Sequence, residues 1–431
     1  MPTSALRETG RGFRDLASLL RPAAGLVQNH SIEPPSAATV GMWRVTIRLQ
    51  CGHNGSAGAP APQPCVTGAA APTRSEAMLR AIGESVERIA LHGAPGVLAT
   101  AAELGEAAFT GVGEDLSLSS LAPAAPTRWY PARHLRTGRD VLVPSGLVDY
   151  PGPRDDPAFD PGPSGAASGF GADEALRSAL LETVERDAVL VSWARQLQLR
   201  AIVLDGADEA GGDDSWRDAE QLLGLGVSAG LSPVVAEVPT SVPGVHCVVG
   251  GFRADTPVGP AICVGAKAAD RLATAVRGAL SESLQLLQHL AATRVARADG
   301  VPPTVITGDE DRLSFIASGR GVDALEHWFA DPAPPAVSAA GGLTCDDLLG
   351  RTMADGLDPV VLDLTERLPR AARDMGWSVV KVVPAGYQPL RVDERCAFGW
   401  HLGRLRSAPR RTGAQARRDT EQRGWAPHPL P

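Results

Sequence analysis

The stretch Glu182-Thr183-Val184-Glu185-Arg186 has a near copy a hundred residues upstream, Glu84-Ser85-Val86-Glu87-Arg88, and a looser third version in Glu282-Ser283-Leu284-Gln285. Apolar residues recur three or four apart around each of the first two: Leu79, Ile82, Val86 and Ile89, then Leu176, Leu180 and Val184. That spacing predicts amphipathic helices. At about 100° per residue, Glu174, Glu182, Glu185 and Arg186 fall within roughly 120° of arc, opposite Leu176, Leu180 and Val184. Taken singly, each Glu/Arg pair reads as an i,i+4 ion pair on a solvated face, stabilising its helix by a few tenths of a kcal/mol. The repetition of both the carboxylate spacing and the terminal Arg points further. Carboxylates gathered from two such helices would need a cation to hold them ionised. Mg2+ suits that role because it takes carboxylate and phosphate oxygens, and Arg is a natural phosphate clamp.

The 431-residue chain is 44% hydrophobic and 21% charged, which suits one large or two modest domains. Its net charge of -8 excludes a surface built throughout for nucleic acid or anionic membrane. No apolar run has the length of a membrane span and residues 1–14 lack a signal-peptide core, so a cytoplasmic protein is expected. The six cysteines show no C-x-x-C pair and no zinc-finger spacing; Cys247 and Cys263, in apolar runs, read as core residues.

Residues 1–60 read as an attached N-terminal region suited to partner or peptide docking, with a strand at Met42–Leu49 and a Gly/Ala/Pro-rich connector over Gly52–Pro64. Residues 66–431 read as a second region. In it, Trp129–Arg133 and Val141–Pro144 predict a strand pair around Thr137-Gly138-Arg139. Ser164-Gly165-Ala166-Ala167-Ser168-Gly169 reads as a small-residue loop opening into the second signature helix, fit to bring backbone N–H groups to an anion. Strands at Ala201–Leu204, Val234–Pro239, Val245–Arg253 and Val379–Val383 alternate with helices near Trp216–Leu223 and Arg271–His289. The pattern is α/β, or mixed α+β, with mixed sheets. Residues 404–424 are basic and without apolar period, so a flexible segment is expected there, followed by the Pro-rich tail 427–431. The phosphate-binding loop, dinucleotide fingerprint, zincin motif and nucleophile elbow are all absent, so a bound nucleotide would be held by carboxylates and metal.

Ala77–Arg88, Ser164–Asp187, Ala279–Gln285 and the terminal Pro-His-Pro-Leu-Pro, in that order, resemble the YcaO-domain proteins, and most nearly the stand-alone cyclodehydratase of thiazole/oxazole-modified peptide pathways. The resemblance runs from about Val66 to Pro431. It implies a YcaO-like fold whose signature helices converge on an ATP site. It places Glu84, Glu87, Glu182 and Glu185 on Mg2+ and nucleotide positions, Arg186 on a phosphate-contacting one, and Glu174, Ser164, Glu282 and Gln285 on further nucleotide positions. Where the family has a Gly-Lys-Gly element, this chain has Gly68-Ala69-Ala70-Ala71-Pro72, and Ser164 stands where Asn is common. The implied reaction phosphorylates a backbone amide oxygen with ATP as Cys, Ser or Thr closes to thiazoline or oxazoline. Thioamide or amidine formation and a non-catalytic scaffold subunit are the alternatives. The implied partners are a ribosomally made precursor peptide, a separate leader-binding protein resembling adenylating enzymes, and in some pathways a flavin dehydrogenase; a homodimer is compatible with the resemblance. It places the tail at the active site, with His428 as a proton carrier and Pro431 as a catalytic terminus.

Overall fold

The computed structural model describes residues 13–50, 65–109, 118, 125–152, 158–203, 214–256, 259–296, 303–335, 341–396, 399–420 and 426–430. Pro431, the connector from residue 52 to 64 and residues 421–425 lie outside that set. Contacts divide the chain into two interleaved units: residues 1–180 with 357–385, and residues 181–356 with 386–431.

The first unit holds two sheets. Strands β1 (Val27–Glu33), β2 (Trp43–Leu49) and β3 (Val66–Ala71) form an antiparallel sheet in the order β1-β2-β3. The Met42–Leu49 expectation is met by β2, whose alternating burial puts Val45, Ile47 and Leu49 in the core. The second sheet runs β4 (Val97–Ala99), β5 (Thr127–His134), β11 (Asp358–Asp363), β12 (Trp377–Ala385), β7 (Ala166–Phe170), with β6 (Asp140–Pro144) also paired to β5. The predicted pair around Thr137-Gly138-Arg139 is β5–β6, turned at Gly138 with φ +69°. Helix α1 (Arg74–Ala90) starts where the Thr73 hydroxyl accepts the Glu76 N–H, and buries Ala77, Ala81, Ile82 and Val86 in the unit's core with Trp377 and Val379.

The small-residue run differs from expectation. Ala166–Phe170 is an edge strand paired antiparallel with β12, so half of its amides are committed to the ladder, and it is not a loop at a helix N-terminus. Its small residues serve close packing: a Cβ on Gly169 would lie 2.6 Å from the Ala175 backbone N. Gly171, at φ +94°, turns the chain into helix α2 (Ala172–Arg195), and the unit boundary falls inside that helix after Leu180.

The second unit contains the rest of α2, helices α3 (Asp214–Ser228) and α4 (Leu272–Ala296), and an antiparallel sheet ordered β10 (Gly259–Ala269), β9 (His246–Thr256), β8 (Ser232–Val238). It also holds α5 (Asp309–Ala317), α6 (Val322–Phe329), α7 (Cys345–Ala354) and α8 (Leu402–Thr412). Helix α4 packs on β9 and β10, and α3 packs on α4. Cys247 and Cys263 are buried as expected, and burial drives both thiols well above their ordinary pKa.

Two readings of the second unit are corrected. Residues 404–424 do not begin as a flexible segment: α8 occupies Leu402–Thr412 and buries Arg404, Leu405 and Ala408. Its strongest anchor is ionic. The buried Arg404 donates from Nε to Asp187 Oδ1 at 2.9 Å, pairs with Asp187 Oδ2, and donates from Nη2 to Asp355 Oδ2 at 2.8 Å, with Tyr387 stacked 4.0 Å from its guanidinium carbon. A pattern search for apolar period cannot see a helix seated by a buried arginine. Nor is the second motif a solvated ion pair: Glu185 is buried, and Glu182 and Arg186 are half-buried.

Candidate active site

Each signature motif pairs its arginine with its own two glutamates, within its own unit. In the first, Arg88 Nε donates to Glu84 Oε1 at 2.8 Å and lies 4.0 Å from Glu87 Oε1. In the second, Arg186 Nη2 lies 3.4 Å from Glu182 Oε1 and Nη1 lies 3.4 Å from Glu185 Oε1. Burial opposes the charge of each arginine, but Glu84 and Glu87 for Arg88, and Glu185, Glu182 and Glu282 for Arg186, outweigh it and raise both. Each motif is thus an arginine chelated by its own two carboxylates.

In the second unit the motif joins a larger cluster, and the edge strand β10 assembles it. Among the described residues β10 pairs only with β9, so alternate amides of its other edge need partners. The Ala268 N–H donates to Glu185 Oε2 at 2.9 Å, and the Ala266 N–H donates to Glu282 Oε2 at 3.0 Å. Carboxylates from α2 and α4 therefore meet at amides two residues apart. Gly265 makes this possible, since a Cβ there would lie 2.4 Å from Glu282 Cβ and 2.5 Å from the Ala279 carbonyl oxygen. Between the two amides, Lys267 brings its ammonium to 3.7 Å from Glu185 Oε2. Glu185 above all holds the lysine's pKa up against burial, with Glu282 and Glu182 adding to it. Glu282 itself is pushed above the ordinary carboxylate range, first by burial and then by Glu185, with Arg186, Lys267 and the Ala266 N–H opposing. Three carboxylates thus face two cations, and Arg186 Nε has no hydrogen-bond partner among the described residues.

The remaining expected site residues are placed as follows. Glu174 accepts the Phe170 N–H at 2.9 Å, closing the turn before α2. Ser164 donates no hydrogen bond from its buried hydroxyl among the described residues, while its carbonyl and that of Gly162 accept from the buried Lys381 ammonium at 2.7 and 2.9 Å. Gln285 lies half-buried on α4, one turn beyond Glu282. Glu84 and Glu87 belong to the first unit, and Glu182, Glu185, Arg186, Glu282 and Gln285 to the second.

The tail is embedded in the second unit. Trp193 Nε1 donates to the Ala426 carbonyl at 3.1 Å, Arg312 Nη1 donates to the His428 carbonyl at 3.0 Å, and Leu430 is buried. His428 Nε2 lies 2.6 Å from the Arg391 carbonyl, which requires the N–H on that nitrogen. Burial first, then Arg312, and further Arg391 and Arg186, push the ring's pKa well below 6.5, although the bond to the Arg391 carbonyl opposes the shift. His428 is thus a neutral ring bound to a carbonyl, and its surroundings fit an anchor of the tail better than a proton carrier.

Sequence reading missed Lys267, Asp187, Arg404 and Arg312. Only Lys267 left a usable signal, as the one charged residue within Ala261–Ala269, a run otherwise of small or apolar residues.

Among the described residues no helix is long and apolar enough to cross a membrane, and no three His, Cys, Asp or Glu side chains form a ready-made metal site. A search of curated proteins finds no match. By fold, the chain is similar to YcaO from Methanopyrus kandleri bound with AMPPCP and Mg2+, at TM-score 0.63 and 20% identity over 91% of this chain and 94% of that one. It is similar also to a heterocyclase in complex with substrate and cofactor, at TM-score 0.63 and 20% identity, covering 89% of this chain but only 54% of the heterocyclase. The E. coli microcin synthetase complex McbBCD with pro-MccB17 bound matches at TM-score 0.55 and 16% identity over 82% of this chain and 87% of that one. The family model described as YcaO cyclodehydratase, ATP- and Mg2+-binding, matches residues 68–388, about three quarters of the chain and the span that holds both signature motifs and the β10 cluster. The chain therefore belongs to the YcaO cyclodehydratase family and is an ATP-dependent enzyme of that family that uses Mg2+.

Proposed function

We propose that the chain closes Cys, Ser or Thr residues of a ribosomally made precursor peptide into thiazoline or oxazoline rings, with the Glu182–Glu185–Arg186–Lys267–Glu282 cluster as part of its Mg-ATP site. The observation that carries this reading is the charge imbalance at the β10 edge, where three recessed carboxylates outnumber two cations. An added divalent cation would relieve it, and hard carboxylate oxygens are the donors Mg2+ takes. The residues fit the ion without forming a closed cage. All three carboxylates have protein partners, but Glu185 is buried while Glu182 and Glu282 are half-buried, so Glu182 and Glu282 would hold the metal, water and phosphate oxygens completing its shell. Glu84 and Glu87 are proposed for the same class of role because their motif likewise sets two carboxylates against its own arginine.

When bound, ATP with Mg2+ supplies the phosphoryl group that makes a peptide oxygen a good leaving group. The chain's own residues supply charge and position. Arg186, fully ionised and with Nε unpartnered, is placed to neutralise negative charge on a phosphoryl group. Asp187, the next residue, is clamped by Arg404 and by the Gln388 N–H at 2.9 Å, which fixes this turn of α2. A partner that grips the leader peptide is proposed as a separate protein, since the microcin synthetase relative is solved as a multi-component complex with its pro-peptide.

Glu182→Gln tests the reading: it removes a charge with little change of volume. Peptide-dependent ATP turnover should fall at least a hundredfold, and the product should no longer lose the mass of one water per ring, while the melting temperature stays within a few degrees. A variant with the parent's turnover would show that the cluster does not handle the nucleotide. A product gaining sulfur instead of losing water would identify thioamide formation.

A further inference from the structure

Lys267 reaches the carboxylate cluster by an unusual route. Its stem crosses α4 at Gly278, where a Cβ would lie 2.4 Å from Lys267 Cγ, 2.8 Å from its Cβ and 3.0 Å from its Cδ. No side chain fits there while the lysine keeps its course. Glycine inside a helix costs about 1 kcal/mol relative to alanine, so the position invites an account, and passage of the lysine gives one. At the end of that stem the ammonium stands 3.7 Å from Glu185 Oε2, beyond hydrogen-bond reach. The same oxygen already accepts the Ala268 N–H, and Glu185 Oε1 already faces Arg186. Glu185 is thus satisfied without Lys267. The lysine side chain keeps 41% of its surface exposed, against 17% for Arg186 and 1% for Glu185. It is the accessible cation of the cluster, and among the described residues its ammonium donates no hydrogen bond.

We infer that Lys267 is a nucleotide-phosphate ligand: its ammonium, carried over Gly278 to the rim of the cluster, binds a phosphate oxygen of ATP. Lysine suits the role as a compact charge with three rotatable donors. The inference rests on the cluster being the nucleotide site, as proposed above. The competing account is that Lys267 only offsets the charge of Glu185.

The experiment measures binding of a non-hydrolysable ATP analogue and of adenosine, with Mg2+ present, to the full chain and its variants. Lys267→Met keeps the stem and removes the charge. It should weaken the ATP analogue about tenfold, leave adenosine binding unchanged, and leave KM for peptide unchanged. Gly278→Ala keeps the charge and displaces the stem, so it should weaken the analogue in the same direction. The double variant should bind no more weakly than Lys267→Met alone, because both changes remove one contact. Lys267→Arg should recover part of the loss. If Lys267→Met misfolds, Gly278→Ala with the lysine intact carries the test by the same two ligands. Unchanged analogue binding in Lys267→Met, or in Gly278→Ala should the first not fold, while Glu182→Gln binds poorly would make Lys267 a counter-ion only. Equal loss of analogue and adenosine would likewise overturn the phosphate contact. Unchanged binding in Glu182→Gln as well would overturn the cluster's role as nucleotide site, and the inference with it.

Discussion

His428 shows how a residue's environment can reassign it. Its type alone suggests a proton carrier, since an unperturbed imidazole titrates near pH 6.5. Here the ring is buried, bonded to the Arg391 carbonyl, and faced by Arg312 from α5, by Arg391, and by Glu394 Oε1 at 4.0 Å. Burial and the two arginines lower its pKa in the folded protein, so between that lowered value and about 6.5 the unfolded chain binds the extra proton and the folded chain does not. The contribution of His428 to stability is therefore complete above pH 6.5 and declines as the pH falls through that window. Urea titrations from pH 7.5 to 5 should show the parent losing stability faster than His428→Gln, the two curves drawing together toward the acid end. Parallel curves would show that the folded ring titrates normally. At Glu185 and Arg186 residue type and environment agree, which is why the sequence exposed them: the Glu-x-x-Glu-Arg spacing puts both carboxylates on the arginine in each copy. Lys267 was missed because a single lysine in a strand, although conspicuous among small and apolar residues, carries no spacing to tie it to the motifs.

The element that organises the cluster is β10, and of its side chains only Lys267 hints at this. Its contribution is made by backbone amides at Ala266 and Ala268 and by the missing Cβ of Gly265, features that hydrophobic periodicity does not encode. The first two signature helices were legible because their apolar residues repeat at helical spacing; α1, α2 and α3 cover the stretches expected, and α4 covers its own from Leu272 on. β7 was not, because alanine, serine and glycine fit a strand or a loop equally, and the choice was made by pairing with β12 more than two hundred residues away. The close approach of α4 to β10 gives a direct prediction. In Gly265→Ala the new methyl would meet the Ala279 carbonyl oxygen at 2.5 Å and the Ser283 N at 2.9 Å, backbone atoms that cannot turn aside. The helix must move off the strand, at a cost of about 1–3 kcal/mol, and Glu282 loses its hold on the Ala266 N–H. Thermal melts should show a fall of several degrees and ATP titrations a higher KM. Parental values of both would mean that α4 and β10 can separate freely.

Across the whole chain, the sequence revealed the mixture of helices and strands but not the interleaving, in which residues 357–385 return to the first unit through β11 and β12. Alternation within a strand identifies its buried face and leaves its partner unspecified. The tail is the longest-range case of the same problem, and composition would leave it a loose end. Instead Pro427 and Pro429 pack with Trp193, Ile262, Phe315, Val322 and Leu325 around a void of only about 10 Å3, at the lower limit for a single water. Proline fixes φ near −65° in the free chain as well, so a tail of alternating prolines loses little entropy on docking. Within the tail, His428 is among the groups whose pKa Arg186 helps to lower, and on that ground we propose that the seated tail helps to shape the site that receives the peptide. Deleting residues 427–431 should therefore abolish ring formation while the ATP analogue still binds. The fold should survive the deletion, because Arg312, which loses the His428 carbonyl, keeps Glu394 Oε1 at 3.2 Å and the Arg391 carbonyl at 2.9 Å and is not left as an unpaired buried charge. Mass spectrometry of the peptide, read beside analogue binding and a thermal melt, separates the outcomes. A truncated chain that melts near the parent and binds nucleotide but makes no rings supports a site shaped by the tail, and one that makes rings at the parent's rate assigns the tail to packing alone.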